Sequence, residues 1–136
     1  FLQAQYIMSF SPLPDEVQLQ SFNEYVHQNK SLLLPRINGE HIEVLAYNGE
    51  WVREEKYGIL EPTGEVFADL QSIDIILVPG MAFDKNNNRL GRGKAFYDRF
   101  LPKTQAIKIG VCFAEQYVDL LPAGEFDVRM NDIIRI

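Results

Sequence analysis

The residues best equipped for chemistry fall in one run, Arg89-Leu90-Gly91-Arg92-Gly93-Lys94-Ala95-Phe96-Tyr97-Asp98. Arg89, Arg92 and Lys94 would attract a polyanion. Gly91 and Gly93 would let backbone N–H groups approach it with no Cβ in the way. The pattern predicts a helix from about Ala95, stopped by Pro102, whose N-terminus adds partial positive charge. On such a helix Lys94 and Asp98, four residues apart, share a face. One would touch phosphate and the other would hold magnesium through carboxylate oxygen. The run is neither of two common nucleotide fingerprints. A Walker loop needs Gly at position 88 and Ser or Thr at 95, where this chain has Asn88 and Ala95; the dinucleotide pattern needs Gly at 96, which is Phe96. The residues alone leave two readings, an anion-binding loop and a basic surface turn.

The elements that must position this loop follow from patterning. Residues 73–78 are nearly all aliphatic and end at Pro79-Gly80, as in a parallel strand covered on both faces. Residues 5–10 read as a strand, broken by Ser11-Pro12-Leu13-Pro14. Asp15 is the expected N-cap of the next helix, with Gln18 completing a capping box. Leu19, Phe22 and Val26 give that helix, which runs to about His27 or Gln28, an apolar stripe, and residues 31–37 return as a strand, completing a βαβ unit. Asn38-Gly39 and Asn48-Gly49 predict two hairpin turns linking residues 32–36, 41–47 and 51–53. Residues 56–62 read as irregular, kept so by Gly64. Residues 106–113 read as a buried strand, 115–121 as a helical turn, 122–131 as a loop and 132–136 as a last strand. The expected architecture is a three-layer α/β sandwich, one domain over residues 1–136, with a mostly parallel sheet and an antiparallel hairpin extension.

Composition narrows the partners. The 136 residues are 46% hydrophobic and 24% charged, with net charge −6; an acidic chain is a poor general nucleic-acid binder despite its basic loop. Cys112 is the single cysteine, in an apolar run, so it reads as a buried structural thiol in a reducing, cytoplasmic setting. No apolar run has the length of a membrane span, and no leader is visible. The chain opens Phe1-Leu2-Gln3 without an initiator methionine, which leads us to expect a further segment upstream. We expect a monomer.

Other candidates carry equally ordinary readings. Asp127 suits a turn. Glu16 suits the first turn of a helix, where a carboxylate is favoured. Tyr57 either stacks on a flat ligand or anchors an irregular loop. Trp51 reads as hairpin packing and Phe100 as core. His27 and His41 lack metal-like partners.

Pro79-Gly80-Met81-Ala82-Phe83-Asp84, followed by RLGRGKAFYDRFL, closely resembles the signature of the 5-formyltetrahydrofolate cyclo-ligase family. The resemblance runs in order from Phe10 to Ile134. It implies ATP- and magnesium-dependent conversion of 5-formyltetrahydrofolate to 5,10-methenyltetrahydrofolate, with release of ADP and phosphate, on a fold similar to the ribose-5-phosphate isomerase group. Carried over by matching residues, Arg89 to Tyr97 would bind ATP, with Arg92, Lys94 and Tyr97 acting in catalysis. SFSPLPDEV is similar to a folate-contacting stretch, so Glu16 would bond the pterin and Phe10 and Ser11 would line its pocket. Tyr57, within an aromatic-x-I-x-E-P-like segment, and residues 92–96 would complete the substrate site. EQYVDLLPAGEFDVRMNDII resembles the closing segment, which makes Asp127 a magnesium ligand beside Asp98 and leaves Asp132 structural. The chain departs at Ala95, where the family usually has Gly, and at Leu19, where it usually has Thr. It also begins after a helical segment whose Lys and Arg help bind ATP. Two other readings stay open: a binding module of the same fold that holds folate or nucleotide without turnover, and a sugar-phosphate isomerase.

Overall fold

The computed structural model describes residues 1, 3–55, 58, 60–122 and 128–136; Tyr57 and Asp127 lie outside them. Its backbone is organised by the short strand β1 (Tyr6–Met8), followed by α1 (Gln20–Asn29) and β2 (Ser31–Asn38). Then come β3 (His41–Arg53), β4 (Leu60–Val66), β5 (Ile75–Val78), β6 (Ala82–Asp84), β7 (Arg89–Leu90), α2 (Phe96–Phe100), β8 (Ile107–Cys112), β9 (Tyr117–Val118) and β10 (Asp132–Arg135). Among the described residues the main sheet runs β10-β8-β5-β1-β2-β3-β4. The stretch from β10 to β2 is parallel, and β3 and β4 add antiparallel strands. The mostly parallel sheet with an antiparallel extension is therefore as expected.

Strand residues alternate between two cores. Ile7, Leu32, Leu34, Ile75, Leu77 and Val111 pack with Val26 of α1 on one face. Met8, Leu33, Ile76, Val78 and Cys112 pack with Phe83, Phe100 and Leu101 on the other. The second face is covered by α2 and by a small sheet ordered β7-β6-β9, whose residues the sequence had suggested as loop and helical turn. Phe83 seats that small sheet. Its ring fills a notch over Gly110, where a Cβ would lie 2.4 Å from it. Full burial of such a ring stabilises by roughly 2–3 kcal/mol.

Several local expectations change. α1 begins at Gln20, and Asp15 is not its N-cap. The residues before it form a turn, with Glu16 N–H donating to the Leu13 carbonyl at 3.0 Å. The Gln18 amide donates to the carbonyls of Leu13 and Glu16, both at 2.9 Å, so it is not free for a capping box. Asn38-Gly39 does make a hairpin, with Asn38 opposite His41 and Gly39 at φ 66°. Asn48-Gly49 does not. It is an irregularity within a continuous β3, where pairing with β4 shifts between Tyr47 and Trp51. Pro62 lies inside β4, tolerated because β4 is an edge strand, and so does Gly64, at φ 148°, where a Cβ would lie 1.9 Å from the Ala46 carbonyl oxygen. The helical turn expected over 115–121 shrinks to a 3₁₀ turn, Ala114–Gln116, before β9. Trp51 packs on the Tyr47 ring at 5.5 Å, and Phe100 is core as expected.

Candidate functional site

The chain leaves the adjacent strands β1 and β5 in opposite directions, through α1 to β2 on one side and towards β8 on the other. Such a switch point leaves a crevice beyond the carboxyl ends of the strands. Here it is a cavity of about 390 Å³. Phe10, Ser11 and Glu16 reach it from the end of β1, Pro79 and Gly80 from the end of β5, and Arg89, Gly91, Arg92, Lys94, Ala95, Phe96 and Tyr97 from the loop and α2. Pro35, Ile37 and Ile42 of the β2–β3 hairpin form an apolar wall. The Arg99 guanidinium donates to the Glu40 carbonyl at the hairpin tip, 3.1 Å through Nε, and so holds that wall against α2. Arg99 was missed in the sequence because its partner is a backbone oxygen.

The three cations of the loop have different roles. Arg89 forms the floor. Its side chain is 7% exposed, and Nε donates to the Pro79 carbonyl at 2.6 Å. Nη1 lies 3.8 Å from Asp98 Oδ1, and the guanidinium stands 5.1 Å from the Tyr97 ring centre. Gly91 makes room for it, since a Cβ there would lie 3.0 Å from Nη1. Arg92 spans the mouth, with Nη2 3.1 Å from both Asp15 oxygens and 3.6 Å from Glu16 Oε2. The hydrogen bond to Asp15, foremost, and the charges of Asp15 and Glu16 raise the Arg92 pKa. Lys94 is exposed and makes no ion pair among the described residues.

Lys94 and Asp98 do not share a helix face. α2 starts only at Phe96, and Ala95 precedes it in the left-handed conformation at φ 57°. L-residues pay about 1 kcal/mol or more there and glycine pays little. That explains physically why the resembling motif carries glycine at this place. The positive-φ glycine of the loop is Gly93, at 98°. With five residues α2 has little macrodipole, so the charge of the loop comes from side chains.

Glu16 is buried, but in the turn before α1 rather than in a first helical turn. Oε1 accepts the Leu13 N–H at 2.8 Å, which leaves Oε2 towards Arg92. Burial pushes the Tyr97 phenol well above its ordinary range; Arg89 opposes this shift and Glu16 adds to it. Tyr97 is therefore a neutral hydrogen-bonding group at neutral pH.

Two supporting residues were not singled out in the sequence. Asp84 is fully buried. Its carboxylate accepts N–H groups of Asn86 and Asn88 at 2.9 Å, the Asn88 amide at 3.1 Å and the Leu121 N–H at 2.8 Å. Burial pushes this carboxyl up, but the hydrogen bonds from Leu121, Asn88 and Asn86 outweigh it and hold the pKa below the ordinary value. Gln116 accepts the Phe113 N–H at 2.8 Å and donates to the Met81 carbonyl at 3.1 Å, bracing the turn after β5. Asp84 lies in the Ala82-Phe83-Asp84 run that carried the resemblance, which was the available signal.

Of the expected ATP residues, the cavity gathers Arg89, Gly91, Arg92, Lys94, Ala95, Phe96 and Tyr97, while Leu90 and Gly93 lie outside its lining. Phe10, Ser11 and Glu16 face the same space. Asp98 is outside the lining, paired with Arg89, which is part of it. No cluster of three metal-ligating side chains occurs among the described residues. The hard-oxygen donor of Asp98 suits magnesium, which commonly takes one or two carboxylates and completes its shell with phosphate oxygens and water. Cys112 is buried, and burial raises its thiol pKa.

Comparison with known proteins gives one consistent result. Residues 1–135 match the pattern of the 5-formyltetrahydrofolate cyclo-ligase family. A Haemophilus influenzae protein named 5-formyltetrahydrofolate cyclo-ligase is 35% identical over 79% of this chain and 62% of its own length. A Schizosaccharomyces pombe protein named "probable 5-formyltetrahydrofolate cyclo-ligase" is 31% identical over 77% of this chain and 58% of its own length. The alignments thus span about three fifths of these relatives. The NMR structure of Aquifex aeolicus 5,10-methenyltetrahydrofolate synthetase superposes with a TM-score of 0.82 at 30% identity, covering 98% of this chain and 69% of that one.

Proposed function

The chain belongs to the 5-formyltetrahydrofolate cyclo-ligase family, and from that premise we propose that it converts 5-formyltetrahydrofolate to 5,10-methenyltetrahydrofolate at the expense of ATP. The observation that carries this reading is one cavity in which the buried Glu16 carboxylate faces the cationic loop, 3.6 Å from Arg92. Glu16 offers an acceptor for the N–H donors of a reduced pterin. Phe10, Pro35, Ile37 and Ile42 offer it an apolar bed. Arg92 and Lys94 offer charge to a triphosphate. In this reading residues 1–136 act as one unit, in a reducing cytoplasm and without an obligatory partner chain. We also propose that the architecture is similar to that of the ribose-5-phosphate isomerase group, as the family resemblance implies.

The formyl oxygen of the substrate is a poor leaving group. It attacks the terminal phosphorus of ATP, and ADP departs. The N10 lone pair then attacks the formyl carbon, the C–O bond breaks, phosphate leaves with that oxygen, and the N10 proton passes to phosphate or water. Phosphoryl transfer of this kind needs positioning and charge neutralisation more than covalent help from the protein. Lys94 and Arg92 neutralise the transferring group. Arg89 fixes the floor and stands over the Tyr97 ring, whose neutral hydroxyl would be available to donate a hydrogen bond to a substrate oxygen. Magnesium held by Asp98, with Asp127 as the second expected ligand, would neutralise the phosphate oxygens further.

The test is the absorbance rise of methenyltetrahydrofolate from 5-formyltetrahydrofolate, ATP and magnesium, set beside ADP release. Stoichiometric appearance of both supports the ligase. Binding of folate or ATP without turnover by folded protein would leave the binding-module reading. Isomerisation of a sugar phosphate without ATP would replace both.

A further inference from the structure

Asp15 carries a role that neither the motif nor the cavity assigns. It stands on the turn after β1, outside the cavity lining, with its side chain 69% exposed. Both of its oxygens nonetheless accept from Arg92 Nη2 at 3.1 Å, across 77 positions of sequence. Arg92 itself lines the cavity. The guanidinium is thus drawn to the rim by an exposed carboxylate, while the buried Glu16 sits 3.6 Å away.

We propose that Asp15 is an internal competitor for the anionic ligand: its carboxylate occupies Arg92 while the cavity is empty, and a polyphosphate displaces it. The inference rests on the reading of the loop as a polyphosphate site. Three observations carry it. First, the Asp15 pair is exposed, so parting it costs little. Second, Arg89 is committed to the floor by Pro79, Asp98 and Tyr97. Arg92 and Lys94 are therefore the loop cations placed to engage a ligand, and of these two Arg92 alone is ion-paired in the described structure. Third, Glu16 is tied to the Leu13 N–H and buried, so Asp15 is the carboxylate able to swing aside. Releasing Arg92 from this rim also leaves Glu16 Oε2 for a donor on the second substrate. Asp15 thereby sets the affinity of the anion site and couples its filling to the acceptor beside it.

The test is a double-mutant cycle read by calorimetric titration of inorganic triphosphate, and then of ATP with magnesium, into the whole chain. Wild type, Asp15→Asn, Arg92→Gln and the double variant are compared. Asp15→Asn should bind roughly two- to five-fold more tightly at low salt, the scale of an exposed ion pair. The gain should shrink as salt rises and vanish in the Arg92→Gln background, and Asp15→Glu should behave as wild type. Unchanged or weaker binding by Asp15→Asn with an unaltered melting curve would overturn the proposal. So would an equal gain with and without Arg92, which would mark a bulk charge effect. Absence of triphosphate and ATP binding in all four would overturn the polyphosphate reading of the loop together with the competitor; binding without coupling overturns the competitor alone.

Discussion

Arg89 and Arg92 lie three positions apart in one loop, yet one is built into the floor of the cavity and the other is tethered loosely at its mouth. Arg89 is almost fully buried, with a backbone carbonyl, a carboxylate and an aromatic ring around it. Arg92 is 40% exposed and held by a carboxylate that is itself mostly in water. Coulomb attraction is worth little between exposed groups and much more where water is excluded. The same side chain therefore acts as structure in one place and as an available charge in the other. A sequence motif that counts three cations cannot make that distinction; burial does.

Breaking the floor should have the largest effect. Arg89→Ala strips Asp98 and the Pro79 carbonyl of their partner and leaves a void under Tyr97. We expect a loss of about 3 kcal/mol in urea unfolding, together with collapse of turnover. Breaking the rim should separate the two properties. Lys94→Ala should lower ATP-dependent turnover by about 100-fold, the scale of removing one charge-stabilising donor, while unfolding shifts by no more than about 0.5 kcal/mol. Comparable loss of stability in Lys94→Ala would erase the distinction between floor and rim.

The loop's support sharpens it. Asp84→Ala orphans the N–H groups of Asn86, Asn88 and Leu121 and should cost about 2 kcal/mol. The pH dependence follows from the sign of its shift. The folded carboxyl titrates below the unfolded one, so its contribution is complete above the unfolded pKa of about 4 and is lost as pH falls through the lower folded value. Urea midpoints from pH 7 to pH 3 should fall less steeply in Asp84→Asn than in wild type. Parallel pH profiles would contradict the assignment. The smallest effect is expected at the junction of loop and helix. Ala95→Gly relieves the left-handed strain but frees the unfolded chain, for a net gain of about 0.5 kcal/mol. A clear loss in the melting curve would show that the methyl group packs usefully.

Much of the scaffold could be read from residue order because its signals are local. The aliphatic runs ending at Val78 and Cys112 are strands, and Asn38-Gly39 turns a hairpin. What escaped depends on distant partners. Asn48-Gly49 has the same turn chemistry as Asn38-Gly39, yet β4 pairs with β3 on both sides of it, at Tyr47–Gly64 and Trp51–Pro62, so the dipeptide becomes a bulge. The capping box at Asp15 and Gln18 fails because Arg92 takes the Asp15 carboxylate and turn carbonyls take Gln18. β6, β7 and β9 span two or three residues each, too few to show any periodicity. At the site, the loop was legible from its cations and glycines. Its apolar wall was not, because Pro35, Ile37 and Ile42 reach the cavity only through a hairpin held by Arg99.

The pairing of β1 with β5 also bears on how the chain assembles. Ile7 meets Ile75, and the N–H groups of Gln5 and Tyr6 donate to the Asp74 carboxylate at 2.9 Å, across half the chain. Contacts so remote in sequence pay their loop-closure entropy before they are rewarded. The crevice between the two strand ends cannot exist until that closure is made. A ligand that fits it would recognise only the completed topology. It would thus slow unfolding and raise the apparent melting temperature with concentration, with little influence on how fast the chain first collapses.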